Sequence, residues 1–207
     1  MILPVSPRPK MTESRRNDIL RATVTAIAGR GLCETRIADV ADIVGVSPAL
    51  VLYYFPTKAA LLSEALVYLD RLFYEGVSSK LDTATGAEDR LVILIEESCP
   101  RPTRPGELPD SWVLWPAMWE MSRLDPSLAA ARARLDEAWR AQIVSIVEEG
   151  IASGEFEPVE VKGFSIQLAA MLDGLAVEAM LGDPTVDPAR MSELALSFAR
   201  SALKPTA

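Results

Sequence analysis

The chain holds 207 residues, 49% of them apolar, and its 21 Lys and Arg stand against 29 Asp and Glu for a net charge of −8. That length fits one large or two small domains, and the apolar share is enough for a buried core rather than a disordered, charge-swollen chain. With no histidine, and with Cys33 and Cys99 far apart in sequence, histidine catalysis, histidine metal sites and paired-cysteine motifs are excluded, and a reducing cytoplasmic setting is the simplest reading.

Residues 1–11 contain three prolines and no apolar run, so they read as a disordered arm carrying Arg8 and Lys10, not as a secretory leader. A first helix is expected from about Glu13 to Gly29, with Ile19, Leu20, Thr23, Ala26 and Ile27 inward and Arg15 and Arg16 near its start within reach of a nucleic-acid backbone. Gly31 turns the chain. Ile37, Val40, Ala41 and Val44 then follow the spacing of one buried helical face, and Gly45 ends it. Ser47 is a good N-cap and Pro48 suits the first helical position, so Ala49 to Tyr54 form a short second helix. Such a pair is a helix-turn-helix signature. On the second helix Pro48, Ala49, Leu52 and Tyr53 share one side, with Val51 opposite as the anchor. An outward Leu-Tyr pair suits a DNA groove, where apolar groups meet thymine methyls and phenolic hydroxyls reach phosphate. Thr35 and Arg36 open the first helix of the pair and Lys58 opens the helix beyond it, places favourable to phosphate. Charge agrees: residues 1–60 carry eight Lys/Arg and five Asp/Glu, net +3, whereas the remainder carries 13 and 24, net −11.

From Thr57 an apolar pattern runs unbroken to about Lys80, a single long helix. Thr85 to Glu88 reads as a capping box opening a fifth helix over roughly 87–98. Residues 99–109 hold four prolines and form a loop, either a connector or a lid. Asp110 to Leu124 then places Trp112, Trp115 and Trp119 on one side of a helix that Pro116 can kink, with Met118 close by. Such a stripe is either core or one wall of a pocket. With Glu120, and Met171 from a later helix, it could hold an organic cation through ring faces and a carboxylate, and an apolar or neutral ligand is the competing possibility. Further helices are expected over about 126–152, 160–182 and 188–203. The longest apolar stretch, Ser165 to Leu181, is too short and too charged to cross a bilayer, so no membrane partner is expected. Neither a nucleophile elbow, a phosphate loop, a dinucleotide fingerprint nor a zincin motif occurs, and pairs such as Glu96-Glu97 point apart on a helix, so the chain does not read as an enzyme.

Thr35-x-Ile37-x-Asp39-Val40-Ala41, Gly45-Val46-Ser47 and Val51-x-Tyr53-Tyr54-Phe55-Pro56-x-Lys58 together resemble the DNA-binding domain of the TetR family of bacterial regulators. The resemblance implies an all-α chain: a three-helix DNA-binding domain over 12–56, a helical ligand-binding and dimerisation bundle over 57–207, a homodimer, and no cofactor or metal. It assigns Thr35, Tyr53, Tyr54 and Lys58 to phosphate and Pro48, Ala49 and Leu52 to the bases, with Arg36 and Ser47 beside them. Arg36 departs from the usual small hydroxyl residue and Pro48 from a usual lysine or polar residue. The run Trp115-x-x-Met118-Trp119-Glu120, then Pro126-x-Leu128, Trp139-Arg140, Gly154-Glu155-Phe156 and Leu172-Asp173-Gly174-Leu175, is similar to the choline-responsive repressors of betaine synthesis within that family. The fourth helix would link ligand to operator. The last two helices would pair with their copies, burying Leu168, Met171, Leu175, Leu194 and Phe198. The expected function is a ligand-responsive regulator of a double-stranded DNA operator, the alternative a small-molecule-binding helical protein without operator binding.

Overall fold

The computed structural model describes residues 9–101, 112 and 114–204. Among these the chain forms α-helices and no strand: α1 (Pro9–Arg30), α2 (Ile37–Val44), α3 (Pro48–Tyr54), α4 (Lys58–Leu81), α5 (Ala87–Glu97), α6 (Trp115–Ser122), α7 (Pro126–Ser153), α8 (Val161–Leu181) and α9 (Pro188–Leu203). The all-α expectation holds. Helix α1 begins at Pro9, so residues 9–11, expected in the arm, are helical; a proline in the first turn gives up only a donor the helix does not use. Residues 1–8, residues 102–109 of the expected loop or lid (99–109), and residues 110, 111, 113 and 205–207 lie outside the described residues.

Local chemistry explains most boundaries. Gly45 adopts φ 74° and donates its N–H to the carbonyls of Ala41 and Asp42, closing α2 in the left-handed conformation that glycine tolerates. The Ser47 hydroxyl accepts from Leu50 N at 3.2 Å and Pro48 follows, which fixes the start of α3. Two expectations are corrected. Thr85 and Glu88 form no capping box: Thr85 turns its N–H and hydroxyl to Asp89, and the free donors of α5 go to Glu155 instead. Pro116 sits in the first turn of α6, so it starts that helix near Trp115 rather than kinking a longer one.

The chain divides into two compact units. The first takes the described residues of Met1–Arg71 and Thr103–Arg132, the second those of Leu72–Pro102 and Ala133–Ala207. Helix α4 is continuous from Lys58 to Leu81, and the division between the two units falls inside it. In the first unit α1 packs on α2 and α2 on α3, around Ile19, Val24, Val40, Ala41, Val51 and Phe55, all fully buried. In the second, α8 packs on α9 and α9 on α5. Phe164 stacks on Phe198 with centroids 5.8 Å apart, and Arg200 of α9 pairs with Glu88 of α5 at 2.7 Å. On length and composition alone α8 could cross a membrane, contrary to the sequence estimate, which omitted its first turn. One face of it, Phe164, Leu168, Leu172 and Ala176, is nevertheless buried, as in the core helix of a bundle.

Candidate nucleic-acid interface

Helices α2 and α3 meet at 103°, within the range of a helix-turn-helix. Helix α3 is held from beneath by Val51 and by Phe55, whose N–H donates to Val51 O at 2.9 Å; both side chains are fully buried. The expected outer face is in fact outward. Pro48 and Ala49 are exposed, Leu52 is 43% and Tyr53 77% exposed, and Tyr54 is half-buried with its ring edge-on to Tyr53 at 5.4 Å. Leaving a leucine and a tyrosine in water on a seven-residue helix gains nothing for the fold. The same face offers an apolar surface and a phenol to a groove.

The polar fringe is more varied than expected. Ser47 is exposed, its oxygen accepting from Leu50 N, so its own O–H remains a donor. Arg36 is exposed at the start of α2, its backbone N–H donating to Asp39 at 2.8 Å. Lys58 Nζ donates to Cys33 O at 3.0 Å, which leaves two of its three donors for phosphate. Thr35 is corrected: only 2% exposed, it donates its hydroxyl to Gly31 O at 2.7 Å and so closes the turn between α1 and α2. Arg15 faces Asp18 at 3.8 Å, and Arg16, partly exposed, is engaged with Glu64 and Phe55. Sequence reasoning missed Ile43, 51% exposed on α2. It lies off the apolar spacing of residues 37, 40, 41 and 44, and that was the available signal. Cys33 is exposed, whereas Cys99 is buried and its thiol is pushed up to about 11 by that burial.

The tryptophans do gather within the first unit. Trp119 lies 6.5 Å from Trp112, edge to face, and 6.3 Å from Trp115, tilted. Trp112 and Met118 are buried and Trp115 and Trp119 half-buried, so the cluster is part core and part surface. Glu120 is exposed, while Met118, two positions away and so nearly opposite on the helix, is fully buried. Met171 belongs to the second unit, half-buried on α8. An open groove of about 660 Å³ runs between α7 and α8 in that unit, lined by Arg140, Val144, Glu148, Lys162 and Ile166 among others and by no aromatic ring.

The expected dimer residues separate. Leu168 is fully buried within the subunit, which corrects its assignment to an interface, whereas Met171, Leu175, Leu194 and Phe198 are half-buried. The outer face of α8 instead carries Ile166, Ala170, Gly174 and Leu181, all exposed, with Val177 half-buried between them. A side chain added at Gly174 would meet nothing within 4 Å.

A family described as bacterial regulatory proteins, tetR family, matches residues 19–65, and one described as BetI-type transcriptional repressor, C-terminal, matches residues 87–204. The HTH-type transcriptional regulator BetI of Escherichia coli K12 is 26% identical over 195 residues, covering 93% of this chain and 95% of that protein. The HTH-type transcriptional repressor KstR2 of Mycolicibacterium smegmatis is 31% identical over 156 residues, 72% of this chain and 71% of that protein. Among solved structures, a transcriptional regulator from Saccharomonospora viridis in complex with choline superposes with a TM-score of 0.83 at 29% identity, over 95% of this chain and all of that one.

Proposed function

The chain belongs to the TetR family of bacterial transcriptional regulators, with a C-terminal domain of the BetI type, and from that membership we propose that it is a homodimeric repressor released from its operator by a small organic cation. It is a DNA-binding, ligand-responsive regulator of a family that is not enzymatic. The exposed face of α3, pinned by the buried Val51 and Phe55 and crossing α2 at 103°, carries this reading. Leu52, Tyr53 and Ala49 enter the major groove. Tyr54, Lys58, Arg36 and Ser47 flank it against phosphate, where contacts set position and not sequence. Two such heads occupy half-sites about 34–36 Å apart on a near-palindromic duplex. The copies join through α8 and α9, and the protein works in the cytoplasm.

The effector chemistry rests on the tryptophan cluster, whose ring faces attract a quaternary ammonium by cation–π interaction. Choline, present in the Saccharomonospora viridis regulator, is the first candidate. A ligand can release the operator only by as much as it prefers the non-binding arrangement of the heads. The test is selection from a pool of random duplexes at low salt, followed by titration of the enriched duplex with choline. Enrichment of a two-fold repeat, and its release by choline, is the expected result. Failure to enrich any duplex would remove the repressor reading, and enrichment without release would remove only the choline assignment.

A further inference from the structure

Arg16 of α1 touches two other helical elements of the first unit at once. Its guanidinium lies over the Phe55 ring, 5.1 Å from the centroid, and pairs with the Glu64 carboxylate in the second turn of α4. Phe55 is the C-cap of α3 and is fully buried, so its ring sits packed at the end of α3. A planar guanidinium can stack on a ring and present donors to a carboxylate together, which an ammonium cannot do with the same geometry. Both Arg16 and Glu64 are partly exposed, and ion pairs in that setting stabilise a fold only slightly. The contact therefore defines where α3 ends relative to α4 more than it holds the head together.

We propose that Arg16 is a positioning residue for operator binding: it sets the pose of α3 against α4 through Phe55 and Glu64, and makes no phosphate contact of its own. The inference rests on the DNA-binding reading above. It reverses the simplest electrostatic expectation for Glu64. Removing a carboxylate from a DNA-facing domain should tighten binding by reducing repulsion. Removing one that orients the reading helix through Arg16 should weaken it.

The test uses the full chain and a duplex enriched as above, with Arg16→Gln, Glu64→Gln and the double substitution compared with the parent. Each single change is expected to weaken binding roughly tenfold, with the double no worse than either, as for coupled neighbours. The slope of log affinity against log salt should stay the same, because no phosphate contact is lost. A slope flattened by about 1.8 in Arg16→Gln, about 0.9 for each of the two heads on the duplex, would mean a direct phosphate contact and overturn the proposal. So would Glu64→Gln binding as tightly as the parent or more tightly. Arg16→Lys serves as the second variant should Arg16→Gln not fold, since it keeps the charge and loses the plane; it too should weaken binding at constant salt slope, and parental affinity would overturn the proposal. If no duplex is enriched, the DNA-binding reading falls and takes this inference with it. A duplex bound equally by all variants overturns this inference alone.

Discussion

Asp173 sits on the exposed side of α8, yet partial burial of its carboxyl and the nearby charge of Asp136 push it up to about 6, against a smaller opposing pull from Arg140. With the folded value above the unfolded 3.8, the folded chain holds this proton more tightly, so its share of stability is complete below about pH 4 and lost as pH rises through about 6. Asp173→Asn should therefore raise the urea midpoint at pH 7–8, modestly because solvent screens an exposed carboxyl, with the gain fading between pH 6 and 4. An equal gain at every pH would contradict this origin. Single residues also mark where sequence reading stops. Leu52, Tyr53 and Val51 were legible because helical spacing alone sorts them into outer and inner faces. Thr35 was not, because a hydroxyl at the start of a helix serves phosphate or a turn carbonyl equally well until the position of Gly31 O is known. The same holds for Arg16, whose partners lie 39 and 48 residues away.

Whole helices were far more legible, since their ends are written in nearby residues. The bounds of α2 follow from an apolar spacing and one glycine, and α3 begins where Ser47 and Pro48 say it should. Helix α5 starts where expected but not for the expected reason, because its N-terminal cap comes from 68 residues downstream. Gly154 at φ 80° turns the chain out of α7, and Glu155 then accepts from Ala87 N at 3.1 Å, Glu88 N at 3.0 Å and the Ser153 hydroxyl at 2.9 Å. Those donors hold its carboxyl below the usual range. Phe156 follows, its ring so close against the Cα of Gly150 that no Cβ would fit there. Glu155→Ala should cost about 1 kcal/mol of unfolding free energy, the usual loss for a helix cap. Gly86→Ala should act through the same cap, because its Cβ would come within 2.6 Å of the Glu155 carboxylate. Urea titrations of the two single variants and the double should then be non-additive; full additivity would separate Gly86 from the cap.

At the scale of the molecule the sequence pointed to α8 and α9 for a partner copy, and Leu168, one of the residues it named there, is enclosed within the subunit. Apolar periodicity marks every buried face alike, so Leu168 looked as suitable for a partner as for the subunit core that in fact encloses it. The exposed row of Ile166, Ala170, Gly174 and Leu181 is the better candidate, its small residues permitting close helix approach. Gly174→Glu has room in the subunit and should leave its fold intact. In a dimer it sets two uncompensated carboxylates into an apolar contact and should weaken association by about a hundredfold or more. Sedimentation at a series of concentrations would read this, and an unchanged dimer would move the interface elsewhere. The exposed Cys33, whose carbonyl is tied to Lys58, and the enclosed Cys99, whose thiol stays protonated at neutral pH, have a practical corollary. A maleimide spin label will react at one place per subunit, beside the reading helix pair. A dimer so labelled carries its own molecular ruler, and dipolar spectroscopy would register head separation with and without a candidate effector.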